Sequence, residues 1–553
     1  MIKKLKSILQ IVPEEKRKHI PFFFLMSFIN SVLDFISIAI LSPFIILILD
    51  RNKANEIFMQ LFGYQIQPKT LMFGLAMLLL FYIVKNLCQT RLIKFQSKFI
   101  YSISSAISND LMINYVYGNF QDQIKLDKGS LIRDFQKLPV TFSTHVLFPL
   151  YTVFSQLFFV SILFIIGLVV NTWLSLSALI LVLIGAILII SWRNKKIKTL
   201  NKTLAESFQE SLNQMLNIFL GNLQIKSANA EKAFYQKFKK ANSMHNSQVS
   251  QLSVFKQSNH NYLEILIVLC VILLLIYLQF IGSPLTNIII VSVFASTIVK
   301  LLPAINKVVV SLIDIKANYH TVSILSRYAF STKKNDTKID FIDSVEINNG
   351  SFRYNDGNTI IENINFNIQR GDFISISGNS GIGKTTLLRI LSGLMNLTNG
   401  TLKIDGATQK TNSFYSFASF VTQQPFIFKA SILDNICMLN NENINLSLVN
   451  ELIDKFELTD FVSQLTNGLD TILDVDSMSI SGGQKQRIAI IRALYSQPKL
   501  LLLDEATNQL DEQLKLKILR FLKDLTLKKE ISIVAVSHQN MLETFSTKTF
   551  HLE

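Results

Sequence analysis

The sequence predicts a membrane α-helical bundle fused to an α/β domain built around a phosphate-binding loop. Three observations predict it. At 553 residues the chain is too long for one ordinary domain. Its composition divides: mean hydropathy is +0.34 and 49 % of residues are hydrophobic, yet the charge is unevenly spread. Residues 341–553 carry 19 Lys and Arg against 23 Asp and Glu, a net of −4; the rest carries 35 against 16, a net of +19. The basic excess belongs to the apolar part, where it marks cytoplasmic flanks of membrane spans rather than a nucleic-acid surface. Third, a glycine-rich loop runs from Gly378 to Thr385 between an apolar run ending at Ser377 and a helical pattern over 387–391. Strand, loop and helix in that order are the context a phosphate-binding loop requires.

The membrane part is read in order. Residues 1–20 are basic and amphipathic, and lie at the cytoplasmic face. The first span is 21–49, with Asp34 inside it, and 50–69 is a short external connection. The second span begins at 70–84, and a polar helix continues past Ile100 into the cytoplasm. A turn follows over 115–128, with Gly118 and Gly129 as breaks. Residues 131–145 return to the membrane as a helix. The third span is about 146–170 and the fourth about 173–192. Residues 193–256 hold eleven basic and three acidic residues and form two cytoplasmic helical extensions, turning near Gly221. The fifth span is about 262–281 and the sixth 285–313. Apolar runs of about 20 residues suit a bilayer core. Six spans place both termini in the cytoplasm, and the expected location is the cell (inner or plasma) membrane. The domains are therefore 1–325, a linker at 326–344, and 345–553. Cys88, Cys270 and Cys437 are too scattered for a disulfide framework or metal site. The first apolar run is too long for a cleavable signal.

The loop itself comprises Gly378, Asn379, Ser380, Gly381, Ile382, Gly383, Lys384 and Thr385, followed by Thr386. Glycines let the backbone wrap an anion, and the loop N–H groups and helix N-terminus face phosphates. Lys384 is placed to reach β- and γ-phosphates, and Thr385 to hold Mg²⁺. Downstream, four leucines at 500–503 form a buried strand ending in Asp504, a magnesium partner, and Glu505, placed to polarise water. Ser481, Gly482, Gly483 and Gln484 make a second glycine-rich loop opening a helix, suited to a γ-phosphate. Gln423 lies in a polar turn. His538 follows the apolar strand 531–536 and is a candidate γ-phosphate contact. Tyr354 is a candidate to stack on adenine. Taken singly, Tyr354 reads equally as a strand aromatic and His538 as a turn residue.

In this order and spacing the constellation resembles the ATP-binding cassette ATPases, over about residues 345–553. The Ser-Gly-Gly-Gln loop with an acid pair 23 residues later separates that family from other phosphate-loop ATPases. The resemblance implies ATP and Mg²⁺ as bound groups. It adds Gln423 to the magnesium contacts, and Gln423, His538 and Asp511 to Glu505 in the catalytic set. It also implies that two such domains pair head to tail, the Ser481-to-Gln484 loop of one closing on ATP held by Lys384 of the other. This sequence departs from the family pattern in places. Ile480 opens the signature where leucine is usual. Asn508 and Gln509 precede Leu510 and Asp511 where the family has serine and alanine. Leu473-Asp474-Val475-Asp476-Ser477 replaces a Val-Gly-Glu-Arg-Gly segment, and the sequence ends fifteen residues after His538 without the family's last hairpin and helices.

Six spans followed by one cassette resemble an exporter half-transporter, which implies a working unit of two; with every catalytic motif intact a homodimer is expected, an asymmetric heterodimer with one degenerate site being the rival. Within the exporters, the membrane half is most similar to the lipid-linked oligosaccharide flippases. That resemblance is carried by Asp34-Phe35-Ile36-Ser37 and Pro43-Phe44-Ile45, by Tyr262-Leu263-Glu264, and by the run from Lys300 to Lys307. It implies an amphipathic, anionic, polyprenyl-diphosphate-linked cargo met by Lys85, His260 and Lys300. Lys300, Lys307, Ser311 and Asp314 recur at helical spacing, as do Lys85, Gln89 and Gln96. Asp34, also near mid-span, is the alternative partner for a lysine. No cysteine-protease domain is read ahead of the spans, which disfavours leader-cleaving exporters but not exporters of mature peptides. Other lipids, or an ATP-gated channel on the same fold, are the remaining alternatives.

Overall fold

The computed structural model describes residues 2–49, 68–124, 126, 128–170, 199–200, 203–204, 206–258, 261–265, 268–269, 272, 276, 284–328, 343–354, 359–409, 415–439, 444–473, 480–536 and 540–552. For 2–4, 38–39, 41–49, 68–71, 128, 166–170, 284–300 and 540 it describes the backbone. The chain divides into two compact units, Met1–Val116 with Leu126–Ser331, and Tyr117–Lys125 with Thr332–Glu553.

Among the described residues of the first unit, four helices are long and apolar enough to cross a membrane: Glu14–Ser37, Met72–Val116, Gly129–Ile165 and Leu301–Tyr328. They fall on the expected first, second, third and sixth spans. The fourth span lies outside the described residues, as does most of the fifth. The second span and its polar continuation form one helix, Pro68–Val116. The return segment and third span likewise run on without interruption from Lys128 to Val170, through π-helical turns at Arg133–Lys137 and Ser143–Leu147. Gly118 ends a helix as expected, and Asn119 caps the short Phe120–Gln123 helix by accepting from the Gln121 N–H at 3.0 Å. Gly129 is a correction. It sits in the first turn of the Lys128–Ile132 helix and breaks nothing. N–H groups there have no intrahelical partner to lose.

With hydrocarbon outside, helices associate through close packing and polar contacts rather than through hydrophobic burial. Ser31 on the Ile20–Leu49 helix donates to the Ser155 carbonyl at 2.7 Å, both residues being buried. Phe159 packs on Ala304 of the Pro284–Asn318 helix, a small residue that admits close approach. A second cluster has Ile8, Ile107, Phe135, Phe142, Val322 and Tyr328 at its centre. The amphipathic Ile2–Ile11 helix thereby buries its apolar face on this unit. Tyr328 donates to buried Asp134 at 2.8 Å, so packed structure continues past the expected boundary at 325.

The second unit holds two sheets. One is antiparallel, in the order β2 (Thr359–Gln369), β1 (Ser344–Arg353), β4 (Asn399–Ile404), β5 (Ala407–Gln409). The other is parallel, in the order β6 (Ala418–Val421), β7 (Leu500–Asp504), β8 (Ser532–Val536), β3 (Phe373–Ser377), β9 (Lys548–His551). β7 and β8 are buried at every residue, as unbroken apolar runs in a doubly covered parallel sheet should be. Asp504 is in register with Val536, and Val536 with Ile376. The three strands therefore end level, and the groups that follow them share the carboxyl edge, where open α/β sheets take their ligands.

Candidate nucleotide site

The phosphate loop leaves β3 and enters the Lys384–Leu391 helix through three glycines in the left-handed region: Gly378 (φ +146°), Gly381 (φ +84°) and Gly383 (φ +112°). Two of them also lack space for a side chain. A Cβ on Gly378 would lie 2.6 Å from the Leu552 carbonyl oxygen, and one on Gly383 2.8 Å from Ile360 Cγ2. The Lys384 ammonium closes the loop, donating to the carbonyls of Gly378 (2.6 Å) and Asn379 (3.0 Å) while its stem is buried.

The sheet edge brings the acids to this loop. Thr385 Oγ1 donates to Asp504 Oδ2 at 2.8 Å. Burial holds the Asp504 carboxyl above the ordinary range and Glu505 adds to this, against the Thr385 hydroxyl, Arg389 and Lys384. Glu505 follows the strand in a left-handed conformation (φ +52°), its N–H on the Val536 carbonyl at 3.1 Å. This kink turns the chain out of the sheet. The Glu505 carboxylate then accepts from Gln423 Nε2 at 2.8 Å and from Asn508 Nδ2 at 2.9 Å, both on Oε2. Gln423 comes from the turn after β6 and Asn508 from the turn that Glu505 itself opens, so two separate stretches of sequence converge on one carboxylate.

The second glycine-rich loop opens the Gly482–Tyr495 helix. Ser481 and Gln484 form a reciprocal capping box, with the Gln484 N–H on Ser481 Oγ at 3.1 Å and the Ser481 N–H on Gln484 Oε1 at 2.9 Å. Ser481, Gly482 and Gly483 line an open concavity of about 550 Å³ with Arg487, Gln509 and Asp511. Asp511 caps the Glu512–Leu527 helix, accepting from the Leu514 N–H at 2.9 Å. Tyr354 packs edge to face on Phe352, ring centres 4.9 Å apart, and its hydroxyl is 3.3 Å from that of Thr386. His538 lies outside the described residues.

Two contacts were not read from the sequence. Asn508 departs from the family pattern, and its spacing three residues after Glu505 is the only signal the sequence offers; the structure closes that turn through the Asn508 N–H on the Glu505 carbonyl at 3.2 Å. Arg492 donates to the carbonyls of Phe426 (2.9 Å) and Asn435 (2.7 Å), holding the segment after Gln423. Nothing in the spacing of Gln423 and Arg492 announces that pairing.

In the first unit, Lys85 is buried and its ammonium lies 3.0 Å from Asp34 Oδ1, which also accepts from Gln89 at 3.0 Å. Lys300 belongs to the Pro284–Asn318 helix, but its side chain, like all of His260, lies outside what is described. The polar stripe beyond it divides: Lys307 is exposed, Ser311 is buried, and Asp314 pairs with Lys256 and, at 3.8 Å, with His145.

Residues 361–508 match the ABC transporter family. The lactococcin-A transport/processing ATP-binding protein LcnC of Lactococcus lactis is 33 % identical over 213 residues, 38 % of this chain and 29 % of that protein. The energy-coupling factor transporter ATP-binding protein EcfA of Malacoplasma penetrans is 32 % identical over 195 residues, 35 % of this chain and 67 % of that protein. The mitochondrial iron-sulfur clusters transporter ATM1 of Debaryomyces hansenii is 33 % identical over 198 residues, 35 % of this chain and 28 % of its own length. The match thus spans under a third of the LcnC and ATM1 chains. A bacterial Atm1-family ABC exporter with ATP bound shares the fold, at a TM-score of 0.79 and 17 % identity, over 97 % of this chain and 93 % of that one.

Proposed function

We propose that this chain, which belongs to the ABC transporter family, is one half of an ATP-hydrolysing exporter that works as a homodimer in the cell membrane. The observation that carries the reading is the convergence at one sheet edge of Lys384, the Thr385–Asp504 pair and the Gln423–Glu505 pair. In this reading the loop N–H groups and Lys384 bind the ATP phosphates, and Tyr354 faces the base. Glu505 orients the attacking water as general base, and His538 contacts the γ-phosphate. The Ser481-to-Gln484 loop of the second copy completes the site. Thr385, Asp504 and Gln423 offer oxygen donors of the kind Mg²⁺ takes. A bound cation would also relieve the buried Asp504 carboxylate, whose protonation burial now favours. Held by these residues, Mg²⁺ would supply charge neutralisation to the transferring phosphate.

For cargo we infer an amphipathic anion flipped or exported across the bilayer, a polyprenyl-diphosphate-linked oligosaccharide being the reading that the sequence resemblance supports. A cation in the hydrocarbon region costs at least about 2.5–3.5 kcal/mol on insertion scales, so Lys85 and Lys300 should face protein or a watery cavity. Asp34 already neutralises Lys85, so an anionic cargo must displace that carboxylate to reach it. Two-fold symmetry doubles the cations that Lys85, His260 and Lys300 contribute. Peptide export is the second reading, favoured by the lactococcin transporter among the relatives.

The test is ATPase activity in lipid vesicles with lipid-linked sugars and peptides offered in turn. The double variant Lys85→Gln with Lys300→Gln should keep basal hydrolysis and assembly but lose cargo stimulation and transport. Unchanged transport of an anionic lipid-linked sugar by that variant would refute the cargo site. Stimulation by peptides alone would favour the second reading.

A further inference from the structure

We propose that Asn508 is a positioning residue for the Glu505 carboxylate, holding it for water activation. This rests on the reading of Glu505 as the general base. The geometry supplies the reason. Glu505 Oε2 accepts two amide hydrogens, from Gln423 at 2.8 Å and from Asn508 at 2.9 Å. In the proposed function Gln423 is also a magnesium donor, and ligation through its amide oxygen would constrain where its NH₂ group can point. Asn508 has no such task. Its backbone is tied into the turn that starts at Glu505, N–H to carbonyl at 3.2 Å, so its amide follows the carboxylate wherever that turn goes.

The neighbouring residue fixes the other end of this short segment. The Gln509 N–H donates to buried Gln486 Oε1 at 3.0 Å, and the Gln509 side-chain amide fills the space beside the Gly482 α-carbon. The turn from Glu505 is therefore anchored on the Gly482–Tyr495 helix, and Asn508 is held between that anchor and the carboxylate. A fixed N–H donor on Oε2 limits how the carboxylate can rotate, which lowers the orientational cost of activating a water. A charge-assisted hydrogen bond is strong enough to do this.

The experiment uses the full chain in lipid vesicles and measures kcat and KM for ATP, nucleotide binding and thermal unfolding. Asn508→Ala should lower kcat about tenfold, with KM, ATP binding and unfolding temperature within twofold or a degree or two of the native chain. Asn508→Ser, which keeps a short donor, should recover part of the rate. Asn508→Asp, of the same shape but without the donor, should lose more than Asn508→Ala. In a Glu505→Gln background Asn508→Ala should change the residual rate less than twofold, because the residue it serves is gone. Native kcat in both Asn508→Ala and Asn508→Asp would overturn the assignment. So would an equal fold loss in the Glu505→Gln background, or a KM rising in step with the fall in kcat. A native chain that binds ATP without hydrolysing it would fail the general-base reading itself, which is a separate outcome.

Discussion

At the scale of the residue, the proposed function rests the chemistry on Glu505 and Lys384, and the two should fail differently. Glu505→Gln keeps the side chain's shape and the Thr385–Asp504 pair but removes the base. Its hydrolysis should fall at least about 100-fold, the lower range for losing a general base, with ATP still bound in a nucleotide-binding assay. Lys384→Ala should instead weaken binding. Near-native turnover by Glu505→Gln would remove Glu505 from the mechanism. The loop glycines separate by their surroundings. Gly378 and Gly381 both have positive φ, but a Cβ at Gly378 meets the Leu552 carbonyl at 2.6 Å while one at Gly381 meets nothing within 4 Å. Gly381→Ala carries only left-handed backbone strain, about 1–2 kcal/mol. Gly378→Ala must also move the loop. ATP affinity should therefore drop more in Gly378→Ala, and equal losses would show that space around the loop is not the determinant.

At the scale of the element, helix caps and strand ends place the groups. Asp511 belongs to the catalytic set by resemblance, and its carboxylate caps the Glu512–Leu527 helix. Asp511→Ala should cost about 1 kcal/mol of stability through the lost cap. Asp511→Asn keeps a capping oxygen and should unfold like the native chain in thermal melts, so any rate it loses belongs to the charge. Melting of Asp511→Asn as early as Asp511→Ala would deny the cap this role. Elements of this kind were legible in the sequence. The apolar runs at 373–377, 500–503 and 531–536 became β3, β7 and β8, because a strand covered on both faces has to be continuously apolar. The phosphate loop and the Ser481 cap were legible for the same local reason. Gly129 misled, since a glycine in a helix's first turn reads like a break in one dimension. Arg492 on the segment after Gln423, and the Gln423 amide on Glu505, were not legible, because sheet order rather than spacing joins them; the Asn508 amide lay within three residues of Glu505, but spacing alone does not say which way its side chain turns. The Asp34–Lys85 pair was readable only as one of two options for an intramembrane lysine, because periodicity gives depth and face but not the partner.

At the scale of the molecule, one chain presents its phosphate loop and its Ser481 loop as separate parts of one unit, and the homodimer reading joins each to its counterpart in a second copy. The most direct measurement is a disulfide between them. Cys88, Cys270 and Cys437 are first replaced, and Ser380→Cys with Ser481→Cys is introduced into a Glu505→Gln chain so that bound ATP persists. On mild oxidation in lipid vesicles with MgATP, a covalent species of twice the chain mass should form, absent without nucleotide and absent from either single-cysteine chain mixed with its own kind. Failure to form that species while ATP is demonstrably bound, or a cross-link confined to single chains, would contradict the pairing of two copies around ATP.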